Sequence, residues 1–281
     1  MSSRLFSPIS LSEIELRNRI IVAPMCQYSA VDGSATDWHL MHLGQFAVSG
    51  VGLILVEATG VSPEGRISPG CLGLWSDENQ AALGRVVKFC HDYGNAKMGI
   101  QLAHAGRKAS TDLPWLGGAP IPAADPRGWQ TLAPSATPYN EAFDMPLALD
   151  EAGMDKIVDD FIAATKRADA IGFDVIELHM AHGYLLHQFL SPLSNQRNDE
   201  FGGALDGRMR FPLQVFNAVR AAWPQHKALG VRISATDWVD SSSWDVNEAS
   251  QFTAALKAAG ADFIDVSSGG NSPDQQIDVG P

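Results

Sequence analysis

Apolar residues along the chain alternate between two rhythms. One is the short, near-continuous run of a strand buried on both faces, as in Gly52–Ala58. The other spaces apolar positions three and four apart, as in Ile157, Phe161, Ala164, Ala168 and Ile171, which share one helical face. In chain order, after a short lead over residues 1–17, the pattern predicts a strand over Asn18–Met25, ended by Pro24, and a helix from near Asp37 to Ser49-Gly50. The second strand, Gly52–Ala58, precedes a helix that Ser76 caps and Tyr93-Gly94 closes, and a third strand spans Met98–His104. Asp150 caps the helix that Gly172 stops, and a fourth strand opens at Phe173. A polar, turn-rich stretch over 191–210 leads into a helix through Phe211 to Trp223, followed by the fifth strand Ala228–Ser234. A helix over Asn247–Ala259, stopped by Gly260, precedes the sixth strand, Ala261–Ser267.

The helix–Gly–strand ending recurs at Gly50, Gly94, Gly172 and Gly260, so the fold class is α/β with a parallel sheet. A doubly wound nucleotide-binding sheet would carry a Gly-rich turn after its first strand, but Met25-Cys-Gln-Tyr28 has no glycine and no G-x-G-x-x-G occurs. Every strand instead ends in polar or reactive residues, the way a (β/α)8 TIM barrel builds its site at one face. Only six of the eight strand–helix units are recognisable, which leads us to expect a single barrel domain over 1–281 lacking its C-terminal two units, with strands one and six as unpaired edges. Between Gly106 and Ala148 the periodicity breaks, and seven of the chain's 16 prolines fall there with Trp115 and Trp129. We read 107–148 as an ordered loop excursion over the strand ends, because a loop of that length in a compact chain is usually functional or disordered.

Composition narrows the function classes. With 45% hydrophobic and 19% charged residues the chain is that of a soluble globular protein. A net charge of −12 and no basic run argue against nucleic acid as partner. No run approaches the ~18 apolar residues of a membrane span. Cys26, Cys71 and Cys90 form neither a C-x-x-C pair nor an even framework, so a reducing, cytoplasmic setting is expected.

Candidate chemistry concentrates in Phe173-Asp-Val-Ile-Glu-Leu-His-Met-Ala-His-Gly-Tyr184. Strand alternation puts Val175, Glu177 and His179 on one face and leaves His182 and Tyr184 in the loop beyond. Two histidines three apart are open to three readings from this segment alone: a metal pair with Glu177, packing residues, or proton and hydrogen-bond chemistry. Arg232 inside an apolar strand needs an acceptor, either Glu57 or Glu177 in an internal ion pair or an anionic ligand at the barrel mouth.

Four spaced motifs together resemble the Old Yellow Enzyme family of flavin-dependent ene-reductases, in the branch that includes xenobiotic reductase A. They are Asn18-Arg-Ile with Pro24-Met-Cys-Gln-Tyr28, Gln101-Leu-Ala-His-Ala-Gly-Arg-Lys108, His179-x-x-His182-Gly-Tyr184, and Ser194-Asn-x-Arg-x-Asp199 with Gly202-Gly203 and Arg208-x-Arg210-Phe211. The resemblance implies FMN as cofactor and NADPH or NADH as reductant, with Ala23, Pro24, Met25 and Cys26 on the first-strand wall of the flavin. Ala58 would leave room beside the ring, Gln101 would meet its pyrimidine edge, and Arg232 would face N1 and the C2 carbonyl. His179 and His182 would bind the carbonyl or nitro oxygen of an α,β-unsaturated substrate, Tyr184 would protonate its α-carbon, and Tyr28 would line the pocket. It implies no metal, and homo-oligomers. The chain departs from the family pattern at Ala204 and Gly207, where relatives usually carry Ser and Asn, and it presents no counterpart of the phosphate loops after strands seven and eight. The other readings are a barrel remnant with impaired FMN binding and a metal-dependent lyase or hydrolase using His179, His182 and Glu177.

Overall fold

The computed structural model describes residues 3–240 and 242–277, so the ends of the 1–281 span lie outside the described residues. In chain order it contains the hairpin strands β1 (Ile9–Leu11) and β2 (Ile14–Leu16), β3 (Ile21–Val22), α1 (Asp37–Ala47), β4 (Leu53–Gly60), α2 (Asp77–Tyr93) and β5 (Lys97–Ala103). A small parallel pair, β6 (Leu132–Ala133) and β7 (Leu147–Ala148), follows, then α3 (Glu151–Ala170), β8 (Val175–Met180), α4 (Leu185–Leu190), α5 (Leu205–Ala222), β9 (Ala228–Ser234), α6 (Val246–Ala258) and β10 (Phe263–Ser267). Six strands form one parallel sheet in the order β10-β9-β8-β5-β4-β3. Among the described residues no helix is long and apolar enough to cross a membrane.

Both faces of this sheet are packed, for different purposes. The outer face joins the helices in the main core, where Phe161, Phe211, Phe216 and Phe252 are fully buried. The inner face holds a second, smaller cluster of Leu53, Leu55, Val175 and Ala228, closed from below by Leu16 and the other apolar residues of the β1–β2 hairpin. The inner face is therefore apolar at one end of the strands, and the polar residues gather towards the other.

The structure moves several predicted boundaries for local reasons. The first strand shrinks from Asn18–Met25 to Ile21–Val22, because Pro24 has no N–H to give and Asn18 is already committed. The Asn18 side chain donates to the Gly50 carbonyl at 2.7 Å and accepts the Ile20 N–H at 3.1 Å, pinning the start of β3 to the turn before β4. Helix α5 begins at Leu205, within the stretch read as turn, since its N-cap Ala204 carries no capping side chain to announce it. Helix α4 was not predicted at all: its residues are all buried, so it shows no polar face.

Gly52 lies directly against the anchored Asn18. A Cβ at Gly52 would stand 2.3 Å from the Asn18 carbonyl oxygen, a backbone atom that cannot swing aside. Gly52→Ala is therefore expected to cost about 1–3 kcal/mol of stability. Urea unfolding that gave an unchanged midpoint would contradict this close approach.

Candidate active site

Strand register assembles the site before any loop contributes. Ala58, Gln101, Glu177 and Gly230 are successive partners across β4, β5, β8 and β9, and one step further along, His179, Arg232 and Asp265 are partners across β8, β9 and β10. Alternate residues of a strand share a face, so the two rows stack on the inner side. Ala58 reaches its place through a bulge. Val56 pairs with Ile100 and Ala58 with Gln101, which leaves Glu57 as the extra residue.

The extra residue turns outward. Glu57 Oε1 lies 3.4 Å from His39 Nε2 on α1, and its Oε2 accepts the Gln27 N–H at 3.1 Å. That removes Glu57 as a partner for Arg232, contrary to one of the two pairings expected. Arg232 Nε instead lies 3.4 Å from Asp265 Oδ2, and the contact is not aligned well enough to satisfy the N–H. Glu177 spends one oxygen on the Gln101 amide, whose Nε2 donates to Oε1 at 2.7 Å, while its Oε2 has no partner among the described residues. Burial first, then the neighbouring Asp265, pushes the Glu177 carboxyl up to about 7, with Gln101 and Arg232 opposing.

The turn after β8 carries the three rings. His179 packs edge-on against His182 and against Tyr184, with centroids 5.1 and 4.8 Å away. His182 adopts a left-handed φ of 58°, and the following Gly183 has a φ of 72°. A Cβ at Gly183 would come within 2.2 Å of the Gly270 carbonyl oxygen, so only glycine lets this turn nest against the one after β10. Ser234 Oγ accepts the His182 N–H and donates to the Gly269 carbonyl, both at 2.9 Å. Lys108 completes the weld, donating to the carbonyls of His182 at 2.8 Å and Gly270 at 2.7 Å.

Both site histidines are neutral at ordinary pH. Burial, His182 and Arg232 hold His179 well below its usual value, and burial followed by Arg232 lowers His182 to about 4. The His179 Nδ1 accepts the Ala181 N–H at 3.2 Å, which leaves its proton on Nε2, facing away from the backbone. The ring of His182 is engaged by Ser267, whose Oγ is 2.6 Å from Nε2. Tyr184 is kept protonated by burial first, and then by proximity to Cys26 and Tyr28.

Opposite, Tyr28 sits at a φ of 50°, with Trp115 edge-on at 5.9 Å. Cys26 and Cys71 are free thiols, and the neighbouring Cys71 thiol, followed by burial, raises the Cys26 pKa well above the usual thiol range. Ala23 and Met25 are open to solvent, and Pro24 is half-buried. Arg107 is buried and Lys108 half-buried, both on backbone carbonyls: Arg107 bonds those of Thr137, Pro138 and Asn271. Lys108, pushed by burial down to about 8, also stacks on Tyr184 with Nζ 5.3 Å from the ring centre.

Four contributors were missed in the sequence or were read without the role they take here. Glu177 was available, since it alternates with His179, but it was weighed only as an ion-pair partner or metal ligand. Asp265 and Ser267 alternate in the same way on the last strand. Lys108 gave no signal, because its role depends on carbonyls from two distant turns. Among the described residues no group of three or more His, Cys, Asp or Glu side chains converges on a metal position.

Comparison with known proteins agrees on one family. The family model described as NADH:flavin oxidoreductase / NADH oxidase family matches residues 4–272. A NADH:flavin oxidoreductase of Gibberella zeae is 44% identical over 290 residues, covering 99% of this chain and 70% of the relative. An NADPH dehydrogenase of Bacillus cytotoxicus is 43% identical over 283 residues, covering 100% of this chain and 76% of the relative. The solved structure of morphinone reductase in complex with tetrahydroNAD superposes with a TM-score of 0.82 at 29% identity, covering 94% of this chain and 74% of that one.

The buried Glu177 gives the site a measurable signature. Its folded pKa, about 7, lies above the ordinary 4.5, so the folded state binds the extra proton and the associated stability is present below pH 4.5 and lost as pH rises through 7. Between pH 5 and 8 this group should remove on the order of 3 kcal/mol. Glu177→Gln should remove that slope. Urea titrations of the two proteins that ran parallel across the window would refute the assignment.

Proposed function

The chain belongs to the NADH:flavin oxidoreductase / NADH oxidase family, and from that premise we propose that it is an ene-reductase reducing activated C=C bonds of α,β-unsaturated carbonyl or nitro compounds. Membership makes it an NAD(P)H-dependent flavin oxidoreductase of the Old Yellow Enzyme kind. The observation that carries the finer reading is the neutral pair His179 and His182 beside the protonated Tyr184, all at one strand end.

The inner rows fit an FMN ring. The Gln101 amide gives its N–H to Glu177 and keeps its carbonyl oxygen as an acceptor, which matches the single N–H of a flavin pyrimidine edge. Arg232 has an unsatisfied Nε–H for the adjacent N1 and C2 carbonyl. Ala58, between them and the Cys26 wall, is small enough to leave the ring its thickness. Ala23, Pro24, Met25 and Cys26 would form that wall, and the 107–148 loop would cover the mouth with Trp115 against Tyr28. FMN held there would supply the hydride chemistry that links NADPH or NADH to the electron-poor carbon of the alkene.

The chain's own residues do the remaining work. His179 offers its Nε2–H to the substrate oxygen, and His182 joins it by releasing Ser267. Because both rings are neutral, they donate without surrendering a proton, and the nearby Arg232 and Lys108 favour the negative charge that builds on that oxygen. Tyr184 holds its proton until the α-carbon needs it, and Tyr28 fixes the substrate's far side.

Purified protein should show a flavin absorbance spectrum that bleaches anaerobically with NADPH and returns on adding 2-cyclohexenone. His179→Ala and His182→Ala should each lower kcat/KM for the enone by roughly 10²–10³. Tyr184→Phe should cost about 10²–10⁴ while flavin bleaching by NADPH continues. Unchanged enone turnover in both histidine variants would overturn the clamp, and a colourless protein that takes up no FMN would overturn the ene-reductase reading itself.

A further inference from the structure

His187 is the third residue of α4, directly behind the turn that carries His182 and Tyr184. Its Nδ1 accepts the Gly183 N–H at 2.9 Å. A ring nitrogen that accepts carries no proton, so a neutral His187 bears its proton on Nε2. That atom faces Asp237 Oδ1 at 3.2 Å, and neither has another partner among the described residues. Asp237 is anchored in turn through Oδ2, which accepts from Ser191 Oγ at 2.6 Å and from the Trp244 N–H at 3.2 Å. Burial works against its charge, but His187, Ser191 and the Trp244 N–H hold it below the usual carboxylate range. Both side chains are fully buried.

Such a pair is a poor way to fill space, since apolar residues of similar volume usually pack as well or better. Its use lies in what it holds. One peptide plane joins His182 to Gly183: its carbonyl accepts from Lys108, and its N–H donates to His187. The plane is thus gripped at both ends, and the side chains on either side of it are His182 and Tyr184. The same device recurs across the site. His39, third residue of α1, accepts the Thr36 N–H on Nδ1 at 3.0 Å and turns Nε2 towards Glu57, which holds the Gln27 N–H between Cys26 and Tyr28.

We propose that His187 and Asp237 are positioning residues: through the Gly183 N–H they fix the angle at which His182 and Tyr184 meet the substrate. This rests on the ene-reductase reading above. A displacement of about 1 Å at reacting groups costs on the order of 100-fold in rate. His187→Leu should therefore lower kcat for 2-cyclohexenone about 100-fold with little change in KM, in protein that keeps its FMN spectrum. In His187→Asn the amide oxygen lies near the lost Nδ1 and can accept the Gly183 N–H, so this variant should recover most of the loss. Ring-nitrogen NMR of the native protein should find the His187 proton on Nε2. The proposal fails if the leucine variant, corrected for FMN content, turns over like native protein, or if the asparagine variant is no better than leucine. Should the leucine variant not fold, asparagine-variant kinetics near native together with an Nε2 proton sustain the proposal, and a proton on Nδ1 refutes it. Native protein without FMN would sink the ene-reductase reading instead, leaving the NMR result to decide whether the pair grips Gly183.

Discussion

Each charge buried on the inner face of the sheet has to find its neighbour on the next strand, and that requirement organises the site. Glu177 of β8 meets Gln101 of β5, and Arg232 of β9 meets Asp265 of β10. These contacts exist only in one register. A slip of a single residue would turn Glu177 and Arg232 out into the helix layer, among the phenylalanines, where an unpaired charge costs several kcal/mol. The pairs are also incomplete: Glu177 Oε2 and Arg232 Nε are both left over. An inner face that satisfied every group internally would have nothing left to offer a ligand.

The bulge at Glu57 shows how one extra residue serves two layers. Without it, strand alternation would put Glu57 on the inner face beside Gln101 and Glu177, adding a third acidic or amide group to an already crowded row. With it, Ala58 takes that inner position and the carboxylate goes outward to His39. The inner row gains space, and the outer layer gains an anchor for the Gln27 N–H. The bulge thus couples the width of the cavity to the conformation of the Cys26–Tyr28 loop.

The scaffold was legible because its signals are local. Helix caps at Ser76 and Asp150, the stopping glycines and the apolar runs each report on a few neighbouring residues, and the corresponding elements lie where they point. Helix α4 was not legible, because a short helix buried on every side has no polar face. The rings at His179, His182 and Tyr184 could be read from spacing and from resemblance. Lys108 could not, since its two acceptors belong to His182 and Gly270, far apart in sequence and joined only by folding. The ion-pair alternative for Arg232 named Glu57 or Glu177 and not Asp265 for the same kind of reason: choosing among acidic neighbours requires the register and the bulge, and neither is encoded in the periodicity.

The cations of the site have a double effect that follows from Coulomb's law at short range. Burial first, and then Arg232, Lys108 and the neighbouring histidines, lower the affinity of His179 and His182 for protons, which keeps both rings neutral. On the proposed reading, the same two cations stabilise negative charge arriving on a substrate oxygen held by those rings. A neutral imidazole remains a donor without giving up its proton, so the charge that builds on the oxygen is met by the two donors and the fixed cations together. A neutral donor in a positive field gains most of its strength only as the oxygen becomes an anion. That differential requires the donors to be aimed in advance, which is why rigid turns, a half-buried lysine and two histidine–carboxylate pairs surround so few reacting atoms.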